Sequence, residues 1–445
     1  MGAATRTHSV GTPRNGSLRR RSFLLASGAS VAAPWQGLAQ ERESRPGKLS
    51  IADLEFWRLE RSRESLAGVN QQHQVQPIHV YEGLRPKPYH DAAEPRKIPT
   101  RGSAVYLCLK TAEGLDGWYG PIDTEAAVVA DRQLRGFLKG KDALASEALW
   151  DQMHRFNRHS SRGHFMMAIS AVDNALWDLR GRYFGVPVYR LLGGPTRESV
   201  TAYGSCLGFS LEPDKVRARS AQLKREGFRH QKWFLAYGPG DGAEGLAKNV
   251  ELVRLLRDSA GEDVDLMFDA FMGWDINYAV QWAKQVEQHR PRWIEEAFHP
   301  EKIESFATLR RSTSIPVETG EHFYNRWQVQ DYLRAGAISV VQADPEWCGG
   351  VSELVRICTL ASVYDAHVIP HGHSMHAALH VVASQSPMTC PLVEYLVLKM
   401  SSYHHFEKEP LAVAGGKIAL PERPGFGIEL DPAKVEKQTP VKWGG

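Results

Sequence analysis

The chain has 445 residues, of which 42% are hydrophobic and 24% charged, with a formal net charge of +3. That length exceeds one ordinary domain and accommodates a barrel of ~250 residues plus a second unit. The small net charge, part of it held in Arg19, Arg20 and Arg21, argues against nucleic acid and against a polybasic membrane surface as partners.

The first 39 residues read as a targeting segment. Arg19-Arg20-Arg21-Ser22-Phe23-Leu24-Leu25 resembles the twin-arginine export motif of bacteria, and a modest apolar run follows to Ala33. That run is too short to span a bilayer. A small-residue site, Gly37-Leu38-Ala39, precedes Gln40, so the expectation is a periplasmic protein with its signal removed near Ala39-Gln40. Five scattered cysteines with no paired spacing give neither a disulfide framework nor a zinc site.

Residues 48–190 read as a first, α+β domain. Residues 49–60 have the pattern of a strand, and residues 104–122 that of a hairpin with Gly114 in its turn. The polar stretch between them, Asn70 to Arg101, is long for an irregular loop and suits a lid or specificity loop. Residues 124–185 are largely helical in pattern, ending at Gly185-Val186-Pro187. Residues 191–399 read as a βα barrel, with first strand Val200–Tyr203, a helix over 211–227 and FRHQKWF as second strand. The tail, 400–445, is expected to fold back and complete the first domain.

Within the barrel a beat recurs. Short apolar runs end at Asp269, Glu295, Glu321, Asp344 and His371, at steps of 26, 26, 23 and 27 residues. A strand, a helix and two short loops fill about that length, since a βαβ unit needs ~30 residues. The spacing puts five ionisable groups at one end of consecutive parallel strands, where barrel enzymes build their sites. One more strand, PLVEYL, carries Glu394.

Three converging carboxylates, Asp269, Glu295 and Glu321, repel one another unless a cation lies between them. Oxygen ligands suit a hard divalent ion, Mg²⁺ first among them. A carboxylate beside an imidazole orients it and raises its basicity, so Asp344 and His371 read as a proton-abstracting dyad. His373 and His376 are nearby alternatives to His371.

These motifs carry a family resemblance. WIEE, TGEH, DPEWCGG and VIPHGHS at the strand ends, with the helix SAVDNALWDLRGRYFGVPVYRLLGG leading into the barrel, resemble the enolase superfamily, mandelate racemase subgroup, over residues 49–400. KWFLAYGPGDG and MFDAFMGWDINYA add a likeness to rhamnonate-type acid-sugar dehydratases. The resemblance implies an α/β fold, a modified TIM barrel (β/α)7β with an N-terminal α+β capping domain. It implies that Asp269, Glu295 and Glu321 bind Mg²⁺ and that His371, paired with Asp344, is the general base. Lys232 would lie against the substrate carboxylate, Glu394 would contact the enolised carboxylate from the far side, and His322 would bind or protonate a substrate hydroxyl. It also implies a small sugar-acid substrate and a symmetric homo-oligomer.

Two departures narrow this. Two-base racemases of the subgroup often carry Lys-x-Lys, whereas this chain reads Lys232-Trp233-Phe234. Phe234 cannot move a proton, which favours dehydration: loss of the α-proton and β-hydroxyl of an aldonate or aldarate, giving a 2-keto-3-deoxy acid. Asn70–Arg101 does not match the rhamnonate-type enzymes, whose family reads the distal end of the sugar with loops of this first domain, so Arg101, His73 and His79 are candidates for substrate binding on position alone. An epimerase or racemase of a related hydroxy acid, or a catalytically silent periplasmic sugar-acid binding protein, stays open at this stage.

Overall fold

A computed structural model describes residues 47–66, 74–86 and 97–443, together with Gly2. The twin-arginine segment and His73 lie outside the described residues.

The cap is a four-stranded antiparallel sheet in the order β14-β1-β2-β3, built from β1 (Ile51–Leu66), β2 (Lys97–Thr111), β3 (Gly117–Ile122) and β14 (Lys437–Val441). Alternation along β1 buries Leu54 and Phe56 opposite Leu109 and Leu107 of β2, a strand buried on both faces over residues 105–109. Gly114 occupies the β2–β3 turn with a φ of +81°. The expected irregular stretch is shorter than its composition suggests. β1 and β2 stay paired as far as Leu66 and Lys97, so residues 97–101 are strand, and 77–84 form two short 3-10 turns.

The helical region breaks into short turns, α1 (Ser146–Phe156) and the long linker helix α2 (Gly163–Phe184). On α2, Ala168, Ala171, Val172, Ala175 and Leu179 recur at helical spacing and are buried. Gly185 ends α2 with a left-handed φ of +72°, a conformation glycine adopts without a Cβ clash. Buried polar groups fix α2 to the barrel: Asp173 accepts from Ser352 N at 2.9 Å, and Asn174 donates to Pro345 O at 3.1 Å. The helix thereby anchors the loop that carries Asp344.

Eight parallel strands form the barrel: β4 (Ser199–Ser205), β5 (His230–Phe234), β6 (Asp265–Asp269), β7 (Trp293–Glu295), β8 (Val317–Thr319), β9 (Val340–Val341), β10 (His367–Val368) and β11 (Val393–Leu396). Seven helices alternate with them: α3 (Pro213–Arg225), α4 (Gly242–Ala260), α5 (Ile276–Val286), α6 (Ile303–Ser312), α7 (Arg326–Arg334), α8 (Gly350–Val363) and α9 (Met375–Ser384). The fold is a (β/α)7β modified TIM barrel with its cap. β11 pairs with β4, and at the remaining seam Val368 N donates to Thr389 O at 2.7 Å. Tyr203, Met267, Trp293, Val340, Ile369 and Leu392 fill the interior.

After β11 the tail returns. β12 (Val413–Ala414) and β13 (Lys417–Ala419) form a hairpin against β4, and β14 then joins β1. Among the described residues no helix is long and apolar enough to cross a membrane.

Candidate active site

The strand ends converge at one mouth, with one difference from the sequence pattern. β8, β9 and β10 stop short of Glu321, Asp344 and His371, which sit two or three residues beyond the ladders. The backbone still continues the pairing. Gln342 N donates to Thr319 O at 3.1 Å, and His371 N donates to Gln342 O at 3.2 Å.

On β5 the two-residue period points Lys232 and Phe234 into the lumen, while Gln231 faces α3 and bonds Ser220 Oγ at 2.9 Å. Lys232 Nζ lies 2.8 Å from Glu394 Oε1 and 3.6 Å from Asp269 Oδ2, and it also bonds Glu295 Oε1. Burial works against the Lys232 charge, but Glu295 and Glu394 outweigh it and hold the ammonium well above the ordinary lysine value. Glu295 accepts two further bonds, from Gln342 Nε2 at 2.9 Å and Trp293 Nε1 at 3.0 Å. Phe234 fills the place beside Lys232, its ring centroid 5.3 Å from Nζ.

Register sets Asp269 directly beside Glu295. Burial, reinforced by Glu295, Glu321 and Glu296, pushes the Asp269 carboxyl well up. Burial likewise takes Glu321 to about 7, with Glu296 adding to the rise and His371 opposing it. Crowded, desolvated carboxylates of this kind are what a divalent cation relieves, and an all-oxygen set fits Mg²⁺. Glu296, Glu321 and His322 also bring three donor atoms within 4.8 Å of one another. Phe271, Met272 and Glu296 adopt left-handed backbone just past β6 and β7, at φ of 41°, 60° and 44°. Such strain in non-glycine residues clusters at functional sites.

His371 Nδ1 lies 2.7 Å from Asp344 Oδ2. Its free Nε2 faces the carboxylates, 3.6 Å from Glu321 and 4.0 Å from Glu394. Burial lowers the His371 pKa, but Glu321, Asp344 and Glu394 outweigh it and bring the imidazole up to about 9. Asp344 is held in turn by Glu346 N, which donates to its Oδ1 at 2.6 Å. Burial raises the Glu394 carboxyl, yet Lys232 and His371 outweigh it and hold it at about 2.

His322 Nδ1 lies 3.0 Å from Glu296 Oε2. Against burial, Glu296 raises His322 to about 9. The Trp347 ring lies between His322 and His371, stacked at 6.0 and 5.1 Å, and its Nε1 donates to Asp123 Oδ2 at 2.9 Å. Beyond it stands a wall that the sequence did not disclose. His373 Nε2 lies 3.1 Å from Asp123 Oδ1 and 2.9 Å from the Tyr403 hydroxyl, and its Nδ1 is 3.0 Å from Lys399 Nζ. Glu296 and Trp347 sit inside the motifs WIEE and DPEWCGG, which was the available signal; Asp123, Lys399 and Tyr403 had none.

The remaining candidates lie elsewhere. Arg101 is on β2, mostly exposed and 3.5 Å from Glu60. His79 caps a 3-10 turn, its Nδ1 accepting from Gln76 N at 3.1 Å. That segment leans on the barrel mouth, since Val75 N donates to Leu235 O at 2.9 Å and Arg85 reaches Gly240 O at 2.6 Å.

Comparison with known proteins agrees with this architecture. Residues 81–193 match the mandelate racemase / muconate lactonizing enzyme N-terminal domain, and residues 215–434 match the enolase C-terminal domain-like family. The chain belongs to the mandelate racemase / muconate lactonizing enzyme group of the enolase superfamily. An L-rhamnonate dehydratase from Saccharopolyspora erythraea is 34% identical over 385 residues, covering 79% of this chain and 95% of that protein. Two crystal structures of the L-rhamnonate dehydratase from Gibberella zeae, one of them complexed with Mg, are 26% identical, with TM-scores of 0.74 and 0.73. Each covers 89% of this chain and 97% of the other.

Proposed function

We propose that this chain is a Mg²⁺-dependent dehydratase of a sugar acid, a hydro-lyase acting on an aldonate or aldarate of the rhamnonate type. The observation that carries the reading is His371, backed by Asp344, aiming its free nitrogen at the carboxylate cluster while Phe234 occupies the place of a second base. The named L-rhamnonate dehydratase relatives support the same class.

Asp269, Glu295 and Glu321 would hold the ion, and Mg²⁺ would supply the positive charge that stabilises a substrate carboxylate as its α-proton is lost. With Glu321 engaged by the ion, and so no longer raising the imidazole, His371 Nε2 would be free to take that proton, while Asp344 keeps Nδ1 protonated and the ring in place. Lys232, fixed between Glu295 and Glu394, presents a buried ammonium to the carboxylate end of the substrate. His322, held protonated by Glu296, is a donor for a substrate hydroxyl. The imidazolium of His371 then returns its proton to the departing β-hydroxyl. The α C–H and β C–O bonds break, water leaves, and the enol ketonises to the 2-keto-3-deoxy acid.

The direct test incubates purified protein with Mg²⁺ and a panel of mono- and diacid sugars, following 2-keto acid formation. Turnover of at least one aldonate or aldarate supports the reading. Solvent deuterium entering recovered substrate without dehydration would turn it toward epimerisation, and tight binding without turnover toward a binding protein. Export through residues 1–39 belongs to the same proposal and is tested by fractionating cells that express the full chain.

A further inference from the structure

Away from the mouth, a second group of metal-ligating side chains lies where the barrel, the tail and the cap meet. His376 stands in the first turn of α9, while His404 and Glu407 follow the short helix Met400–Tyr403 in the returning tail. All three are buried. His376 Nε2 is 3.0 Å from both Glu407 carboxylate oxygens, and His404 Nδ1 is 2.8 Å from Oε1. The two imidazole planes cross at 82°, with centroids 4.6 Å apart. One donor atom from each residue falls within 4.8 Å of the other two.

The mechanism above uses none of these residues, and their buried set leaves two imidazole nitrogens without a partner, which is costly. Atoms bonded to a single ion at ~2.0–2.2 Å lie roughly 3–3.5 Å apart, close to the 3.0 and 2.8 Å from the two imidazoles to Glu407. Burial works against the Glu407 charge, but His376 and His404 outweigh it and hold the carboxyl at about 2, so it is an anion, as a ligand must be. The outer nitrogens, His376 Nδ1 and His404 Nε2, have no hydrogen-bond partner, so each can carry its ring's proton and leave the inner nitrogen bare toward Glu407. A cleft of about 220 Å³ between the tail and α9 reaches His376 and is lined also by Glu409, Ile418 and Phe426, which gives an ion an entry path.

We propose that His376, His404 and Glu407 form a second metal site, distinct from the carboxylate cluster at the mouth, for a borderline divalent ion of the zinc type. Two nitrogens and one oxygen favour Zn²⁺ over Mg²⁺, whose preference is for oxygen alone. The site's three protein ligands leave one position of a tetrahedron to water, and its role is to hold chain segments together. It ties the tail, just before β12, to the last barrel helix and to β2, where Tyr106 lies close enough for Glu407 to reinforce the burial that pushes its phenol up.

The test uses the full chain in excess Mg²⁺, loaded with one equivalent of Zn²⁺, gel-filtered and analysed for bound metal. The expected result is about one Zn²⁺ per chain, retained in Asp269→Asn but lost in His404→Ala and in the near-isosteric Glu407→Gln, with Zn²⁺ raising the Tm of the parent and not of these variants. Co²⁺ substitution adds a visible ligand-field spectrum that His404→Ala abolishes. Should His404→Ala not fold, Glu407→Gln and the Co²⁺ spectrum of the parent decide. No retained Zn²⁺ in the folded parent overturns the site, leaving a hydrogen-bonded triad. Equal retention by parent and Glu407→Gln overturns it as well, placing the ion elsewhere.

Discussion

Lys232 Nζ and Glu394 Oε1, on strands β5 and β11 that both flank β4, meet 2.8 Å apart in the lumen. The contact spans three adjacent strands and puts one ammonium among several carboxylates. Removing a single partner of a buried ion pair strands the other charge and costs about 3–5 kcal/mol. Lys232→Met is expected to lose stability on that scale in chelator, by denaturant unfolding, and to lose less in Mg²⁺, which takes over part of the charge compensation. Equal losses in both conditions would contradict the shared electrostatic site.

Replacing the base should separate chemistry from metal binding. His371→Asn leaves Asp269, Glu295 and Glu321 untouched, so Mg²⁺ affinity by calorimetry is expected to stay near the parent value. Turnover falls by roughly 10²–10⁴-fold, the usual contribution of a general base.

The Asp344 partner raises the His371 pKa, so its removal should move that pKa down. In Asp344→Asn the acid limb of the kcat/KM profile is expected at lower pH than in the parent, together with a lower plateau. An unmoved acid limb would mean that another group controls it.

Lys399 bonds the neutral acceptor His373 Nδ1 and, among the described residues, has no carboxylate within ion-pair distance. It stands beside the Trp347 wall, one step removed from the proposed base. Lys399→Met is therefore expected to raise KM for the preferred sugar acid several-fold while changing kcat less. A fall in kcat alone would place it in the chemistry instead.

Away from the site, His380 is buried on α9 between Tyr189 and Phe426, its Nδ1 accepting from Tyr189 N at 3.1 Å. Burial, aided by His376, lowers its pKa from 6.5 to about 3. A depressed folded-state pKa contributes stability above 6.5 that is lost as pH falls from there toward 3, at about 1.4 kcal/mol per unit. His380→Gln keeps an acceptor without titrating, so its Tm is expected to fall less than the parent's between pH 6.5 and 5.

The barrel and its strand-end groups were legible because local periods encode them: each apolar run delivers its terminal acid or imidazole to the same rim. Contacts between distant segments carry no such signature. Asp123 and His373 are 250 residues apart in sequence and meet only because the cap rests on the mouth. Residues 97–101 looked irregular because their polar and proline content hides a strand whose pairing depends on residues 62–66. Arg101 and His79 are candidates by position in that stretch alone. In the sheet Arg101 lies beside Glu60, and at the 3-10 turn His79 Nδ1 accepts from Gln76 N.

β14 follows every barrel strand along the chain, yet it supplies an edge of the cap sheet through Phe56↔Val441 and its neighbours. Just beyond it, Trp443 N donates to Asp131 Oδ2 at 2.8 Å, and the Trp443 ring packs edge-on to Phe56 at 5.6 Å. On a ribosome, where segments emerge in order, the carboxylates and the imidazole can be in place before the surface that encloses them has its last strand. The charged groups of the site therefore precede, along the chain, the strand that completes the cap sheet.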